Sequence, residues 1–393
     1  MENSKQVIYL DNNATTPIDK RVLDAMMPFL TNEFANANST HQFGVHAYEA
    51  VKAARVQVAE LIGAEAHEIV FTSGSTEAIN IAIKGVAENY QPKGKHIVTL
   101  KTEHSAVLDT CQYLESKGYE VTYLPVKPDG LIDLSELKIV LRDDTILVVI
   151  MFANNETGVL QPVKEIAELV HSVGALFMSD STQIVGKAPV NVDNLGIDLL
   201  CMSGHKLYAP KGVGALYVRQ RMNRVKLSAF VHGGGHEKGL RSGTLNVPGI
   251  VALGAACALA EREMTKNAES ILALRNYLET ELLKIEGTSV NGNTSARLAN
   301  TTNILFRGAD SDAVIMGLSN PENDLPLIAV SNGSACTSAS IEPSHVLTAM
   351  GLDDTAAFSS IRFSFGKFNT KKEIDLVIDA VKHVVSSLRA MVT

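Results

Sequence analysis

Cysteine is scarce in this 393-residue chain: Cys111, Cys201, Cys257 and Cys336 stand far apart. No CxxC pair or zinc-type spacing joins them, and four thiols in a chain this long do not form a disulfide framework. A reducing, cytoplasmic setting is expected. Positive charge is also in deficit, with 35 Lys and Arg against 43 Asp and Glu. A net charge of −8 disfavours a general nucleic-acid binder. Met1 to Thr16 is polar and offers no apolar core for a secretory signal. The longest uncharged stretch, Ser242 to Ala260, is interrupted by Asn246, Pro248 and glycines. Its apolar part is too short to cross a bilayer. Neither a Walker A nor a GxGxxG motif occurs, so nucleotide chemistry lacks its usual signature. Repeats, low-complexity tracts and long linkers are absent as well. What remains is a chain with 46% hydrophobic and 20% charged residues, enough for a full core. Its length fits two domains, or one with an appended lobe.

From about residue 67 to 220, short apolar runs alternate with helical patterns. Strands are predicted at Glu68–Phe71, His96–Leu100, Glu120–Leu124, Ile146–Phe152, Ala175–Ser179, Ile197–Met202 and Gly214–Val218. Helices are predicted between most of them, including Glu77–Asn89, Ala106–Lys117 and Val163–Val173. This alternation implies a mostly parallel, doubly wound α/β sheet. The runs are nearly all apolar, as strands buried on both faces should be. After Pro248, Ile250 to Ile285 reads as one long helix stopped by Gly287, with Met264, Ala268, Ile271, Leu272, Leu278 and Leu282 as its apolar stripe. It leads into a smaller α+β lobe. There, strands are predicted near Thr302–Phe306, Leu327–Ser331 and Ser360–Phe365, and helices near Ser311–Leu318, Pro343–Met350 and Lys372–Leu388.

Ligands of open α/β sheets bind beyond the carboxyl ends of the strands. The residues that follow five of the predicted strands are Ser73-Gly74-Ser75-Thr76-Glu77, Glu103-His104, Asn154-Asn155-Glu156, Asp180-Ser181-Thr182-Gln183 and Ser203-Gly204-His205-Lys206. Ser75 and Thr76 open a helix, where hydroxyls and free N–H groups suit a phosphate, although a plain helix cap reads the same way. Asp180 at a buried strand end needs a partner. Lys206, among small and apolar neighbours, can lose its proton and become a nucleophile. The two could form a simple ion pair. With the phosphate-type helix terminus they instead supply three handles for pyridoxal 5′-phosphate: Asp for the ring nitrogen, Lys for the aldehyde and hydroxyls for the phosphate.

Two histidines, His232 and His236, flank three glycines, which argues for a flexible loop rather than a helical zinc pair. That loop runs into Arg241-Ser242-Gly243-Thr244, a cluster suited to an anion. Cys336 sits among Gly333, Ser334, Ala335, Thr337 and Ser338, with nothing to pack against. A reactive thiol on a mobile, exposed loop is expected there. Arg362, between apolar strand residues, calls for a carboxylate from either substrate or protein.

Taken together, these segments resemble group I cysteine desulfurases of the NifS/IscS type, within the class V aminotransferase family of fold-type I pyridoxal-phosphate enzymes. The resemblance runs in order through Tyr9–Pro17, Phe71–Glu77, Thr102–His104, Asn154–Gly158, Asp180–Gln183, Ser203–Lys206, Gly233–Thr244, Gly333–Ser340 and Ile361–Ser364. It implies a large cofactor-binding domain over 16–262 with a seven-stranded sheet, and a small domain from 1–15 and 263–393. By position, Lys206 resembles the Schiff-base lysine that also moves a proton. Asp180 would hold the ring nitrogen, Gln183 the ring hydroxyl, and His104 the ring face while aiding acid–base steps. Ser75, Thr76, Ser203 and His205 would bind the phosphate, with Thr244 reaching the phosphate of a second copy in a homodimer. Asn155 and Arg362 would bind the carboxylate of L-cysteine, and Cys336 would accept its sulfur. The implied activity converts L-cysteine to L-alanine and supplies sulfur for iron–sulfur clusters or other thiolation through an acceptor protein. A selenocysteine lyase or another class V enzyme is the alternative. Asn36-Ala37-Asn38-Ser39 lacks the family's usual proline, and Asn332 stands where serine is common. The chain stops at Thr393, without the longer tail by which the IscS branch grips its scaffold.

Overall fold

The computed structural model describes residues 7–221, 223–321, 325–333 and 342–392. Its strands are β1 (Val7–Tyr9), β2 (Ile69–Thr72), β3 (His96–Leu100), β4 (Glu120–Leu124), β5 (Thr145–Val149), β6 (Leu176–Asp180), β7 (Leu199–Ser203), β8 (Gly214–Val218), β9 (Thr288–Val290), β10 (Thr301–Phe306), β11 (Leu327–Ala329) and β12 (Ser360–Ser364). Seven of them form the central sheet, in the order β2-β8-β7-β6-β5-β3-β4. All neighbours are parallel except β8, which runs antiparallel to both β2 and β7. The sheet is therefore α/β and mostly parallel, as expected. Alternate side chains feed two cores. Leu200 and Met202 of β7 point to one, Leu199 and Cys201 to the other, and all four are buried. Each such large apolar side chain contributes about 1.5–3 kcal/mol on burial.

The helices are α1 (Lys20–Thr31), α2 (Gln42–Ile62), α3 (Ser75–Tyr90), α4 (Ser105–Glu115), α5 (Leu134–Val140), α6 (Val163–Ser172), α7 (Val247–Leu282), α8 (Ser311–Ser319), α9 (His345–Ala349), α10 (Asp354–Ala357) and α11 (Lys371–Val392). Sequence pattern missed α1 and α2. In α2, buried Val51 and Val58 alternate with exposed Phe43, Val45, Tyr48 and Val56, so apolar residues surround the helix and leave no single stripe. The long connecting helix α7 starts three residues earlier than expected, because Asn246 accepts the N–H of Gly249 and Pro248 sits in the first turn. Its stripe also needs correction: Leu278 and Leu282 are buried, but Leu272 is exposed.

Through α7 the chain passes from the large cores to a third. Val247, Leu253 and Cys257 pack under the central sheet, whereas Leu278 and Leu282 join Ile8, Leu10, Phe306, Phe363 and Val381. That third core is closed by the antiparallel sheet β12-β10-β9 and by β1 paired in parallel with β11. The short β1 and β9 were not anticipated. Three residues give too little alternation to read.

Candidate functional site

The parallel strands β3, β5, β6 and β7 all end on the same edge of the sheet, where a cavity of about 320 Å³ opens. Ser75, Thr76, His104, Asn155, Asp180, Gln183, His205, Lys206 and Arg362 all line it. Ser203 lies buried just behind, its hydroxyl beside Gly74. Thr244 is exposed and lies away from the cavity lining. Cys336 lies outside the described residues, but Ser331 and Gly333, shortly before it, are part of the wall.

Lys206 ends the turn Gly204–Lys206 that follows β7. Its Nζ donates to the carbonyls of Asn13 and Ala14, the latter at 2.7 Å. Burial, reinforced by the charge of Arg362, pulls its pKa down to about 8. Asp180 does not pair with it. One carboxylate oxygen of Asp180 instead accepts the N–H of Thr182 at 3.0 Å and the thiol of Cys201 at 3.3 Å. The simple ion pair is thus not formed, and amine and carboxylate both face the cavity.

Also on the cavity lining, α3 begins at Ser75, and its N-cap, Gly74, supplies no side chain to cap it. Glu77 reaches back to the N–H of Ser73 at 2.5 Å and also holds Arg241 at 2.7 Å. Ser75 and Thr76 keep the position of free donors at a positive helix end. Glycine at 214 is required by packing. A Cβ there would lie 2.5 Å from the Met202 carbonyl and 2.7 Å from Gly74 Cα. The expected anion cluster needs correction, because Arg241 is committed to Glu77. The preceding loop is also anchored: Glu237 pairs with Arg55 at 2.6 Å and accepts the N–H of Phe71 at 2.8 Å.

His205 meets the Thr15 hydroxyl at 3.2 Å, and burial together with Lys206 pushes its pKa to about 4, leaving it neutral. His104 caps α4 by accepting the N–H of Ala106 at 3.1 Å. Arg362 on β12 finds a protein carboxylate, Asp11, at 2.6 Å and also donates to the Asn155 carbonyl at 3.0 Å. Its buried Nε has no hydrogen-bond partner among the described residues. Among the described residues no group of three or more side chains could hold a metal.

Two neighbours of the cavity lie in segments the sequence singled out but were given no role of their own. Asn13 is buried and touches both lobes: its side chain donates to the Thr301 hydroxyl at 2.9 Å and to the Asn155 carbonyl at 3.0 Å. Glu156 is fully enclosed, bonds the Ser344 hydroxyl, and has its pKa raised to about 7 by burial. Gly333 (φ +76°) presses against that carboxyl, since a Cβ would lie 2.4 Å from its oxygen.

The model of the class V aminotransferases matches residues 8–377. The chain belongs to the class V aminotransferase family. Among curated relatives, cysteine desulfurase IscS of Histophilus somni strain 2336 is 54% identical over 98% of this chain and 94% of its own length. The protein of the same name from Haemophilus influenzae strain Rd is 54% identical over 98% and 95%. Among solved structures, a NifS-like protein superposes with a TM-score of 0.90 at 37% identity, covering 97% of this chain and 99% of its own. SspA in complex with cysteine gives 0.79 at 38% identity, covering 93% and 100%. The fold is that of the NifS-like members, whose family depends on pyridoxal 5′-phosphate. The residues present fit that group: an amine whose pKa is lowered and which pairs with no carboxylate among the described residues, a buried carboxylate, and a helix N-terminus lacking a side-chain cap share one cavity.

Proposed function

We propose that this chain is a cysteine desulfurase, converting L-cysteine to L-alanine and leaving the released sulfur on Cys336 as a persulfide. The observation that supports it best is the shared cavity of Lys206, Asp180, Ser75 and Thr76, walled by Ser331 and Gly333 on the strand exit that leads to Cys336. The curated relatives that match nearly its whole length bear the name cysteine desulfurase.

Lys206 would hold the cofactor aldehyde, Asp180 the ring nitrogen, Gln183 the ring hydroxyl and His104 the ring face. Ser75, Thr76, Ser203 and His205 would hold the phosphate. When bound, pyridoxal 5′-phosphate supplies an electron sink for charge developing at the substrate Cα. Asn155 and Arg362 hold the substrate carboxylate, Arg362 with Asp11 fixing its orientation. Lys206, whose amine gives up its proton easily, takes the proton from Cα. The Cys336 thiolate then attacks the substrate sulfur and the C–S bond breaks, leaving the sulfur on Cys336; Cβ takes up a proton, equal in number to the one Cys336 gave up on ionising, Lys206 returns its proton to Cα, and alanine leaves. Cys111, Cys201 and Cys257 are buried, and burial pushes each thiol above its ordinary pKa, so none competes.

The chain acts as a homodimer in which Thr244 reaches the phosphate of the second copy. Exposed Leu30, Phe34, Phe43 and Tyr48 on and between α1 and α2 support such a contact. The domain division at 16–262 rests on the separate core of Ile8, Leu278 and Phe363. No helix among the described residues is long and apolar enough to cross a membrane. A cytoplasmic enzyme serving an iron–sulfur scaffold or another sulfur acceptor is the matching role.

The test is to incubate protein and cofactor with L-cysteine and a thiol reductant, measuring alanine and sulfide. Equal amounts of both are expected, with Lys206→Ala inactive. Alanine formation by Lys206→Ala, or release of selenide from selenocysteine with none of sulfide from cysteine, would overturn the reading.

A further inference from the structure

Beneath the cavity lies Lys187, which none of the steps above uses. Its Nζ donates to Gln183 Oε1 at 2.8 Å and approaches Asn13 Oδ1 at 3.4 Å. On its other side the Gln183 amide donates from Nε2 to the Asn13 carbonyl at 2.9 Å. A carbonyl only accepts and an ammonium only donates. Between them, one orientation of the amide is satisfied. Rotated by half a turn, it would face N–H toward ammonium and oxygen toward carbonyl, in a side chain that is 5% exposed. In the orientation observed, one N–H is given to Asn13, and the second is the only amide hydrogen left for the cavity.

We propose that Lys187 is a positioning residue: it keeps the Gln183 amide turned so that its nitrogen, not its oxygen, is offered to the ring oxygen of the cofactor. The inference rests on the reading that Gln183 meets that oxygen. Lys187 acts through Gln183 because it does not line the main cavity; it borders a separate space of about 40 Å³ with Asn12, Asn267, Asn300 and Lys367. Burial and the nearby charges of Lys206 and Arg362 pull its pKa to about 7. The neutral amine keeps two N–H donors for Gln183 and Asn13 but gains a lone pair that could accept, so on deprotonation the orientation is held by the Asn13 carbonyl together with those donors.

The experiment measures two quantities: the dissociation constant of pyridoxal 5′-phosphate from the protein, and the pH midpoint of the bound cofactor's visible absorbance. They are taken on the wild type, K187M, K187R, Q183A and the double variant Q183A/K187M. K187M and Q183A should shift the midpoint in the same direction and weaken binding about tenfold, the effect of losing one hydrogen bond of ordinary strength. K187R, which keeps a donor, should recover most of the affinity. In the Q183A background K187M should change nothing further. Should K187M not fold, K187A gives the same comparison. A wild-type midpoint and affinity in K187M beside an altered Q183A overturns the inference alone, as do additive effects in the double variant. A silent Q183A removes the role of Gln183 itself, and the inference with it.

Discussion

The role proposed for Lys206 requires an uncharged amine, and the charge of Arg362 bears on that amine before any substrate is bound. Linking an aldehyde to Lys206 requires its free amine. With a pKa of about 8 in place of 10.5, roughly one amine in ten is free at pH 7 rather than about one in 3,000, a gain of about 300-fold. Burial is the main cause and the Arg362 cation the next. Arg362→Gln removes that cation and also releases the Asp11 carboxylate, which favours the charged lysine. Both changes push the lysine pKa upward. Cofactor capture by apo-protein, followed by stopped-flow absorbance, should rise with pH through a midpoint near 8 in the wild type. In Arg362→Gln the midpoint should move higher and capture at pH 7 should slow about tenfold, the effect of about 1.4 kcal/mol of lost repulsion. Above pH 10 the two proteins should converge. Asp11→Asn combined with Arg362→Gln removes both charges and should fall between them. A wild-type midpoint near 10.5, or a midpoint that moves down in Arg362→Gln, would refute the reasoning.

Cys336→Ser should bind cofactor as the wild type does yet release almost no sulfide, and mass spectrometry of cysteine-treated wild type should find one added sulfur on the Cys336 peptide. Finding that sulfur on Cys111, Cys201 or Cys257 would reject the mechanism. Glu156, with its pKa raised to about 7, favours folding in its protonated form, so its contribution is present below about pH 4.5 and is lost as pH rises through 7. Glu156→Gln should flatten that decline in urea unfolding between pH 4.5 and 7; an unchanged slope counts against it. Gly214→Ala should cost about 1–3 kcal/mol, because both close contacts are backbone and cannot swing aside. It should also weaken cofactor binding through Gly74, and an unaltered melting temperature would contradict the packing described.

Legibility in the sequence followed the range of the interaction. β3, β4 and β8 are read at their observed bounds, since each is a short run rich in aliphatic, β-branched or aromatic residues and closed by turn residues. The cavity residues at strand ends were equally readable, because parallel strands all deliver their carboxyl ends to one edge. Arg362 and Asp11 stand 351 positions apart, and only the folded chain pairs them. The commitment of Arg241 to Glu77 was hidden in the same way, across 164 positions. Asn13 and Ala14 act on Lys206 through main-chain carbonyls, which every residue type possesses and no composition reveals.

Two short strands, β1 and β11, lie side by side and run in the same direction. From the end of β1 the chain continues four to five residues to the carbonyls that hold Lys206; from the end of β11 it continues to Gly333, three positions before Cys336. The carbonyls that hold Lys206 and the described segment that precedes Cys336 therefore leave from neighbouring strand ends, although 130 positions separate Lys206 and Cys336 in sequence. A strand advances about 3.3 Å per residue. A single residue inserted between Tyr9 and Asn13 would shift the lysine's cradle by more than the 2.7 Å length of the bond it makes, with both strands still paired. Slippage of one register step would displace Gly333 in the same way. Chain length in these two exits is thus a ruler for the reaction, and natural variants of the enzyme should tolerate substitution there far better than insertion.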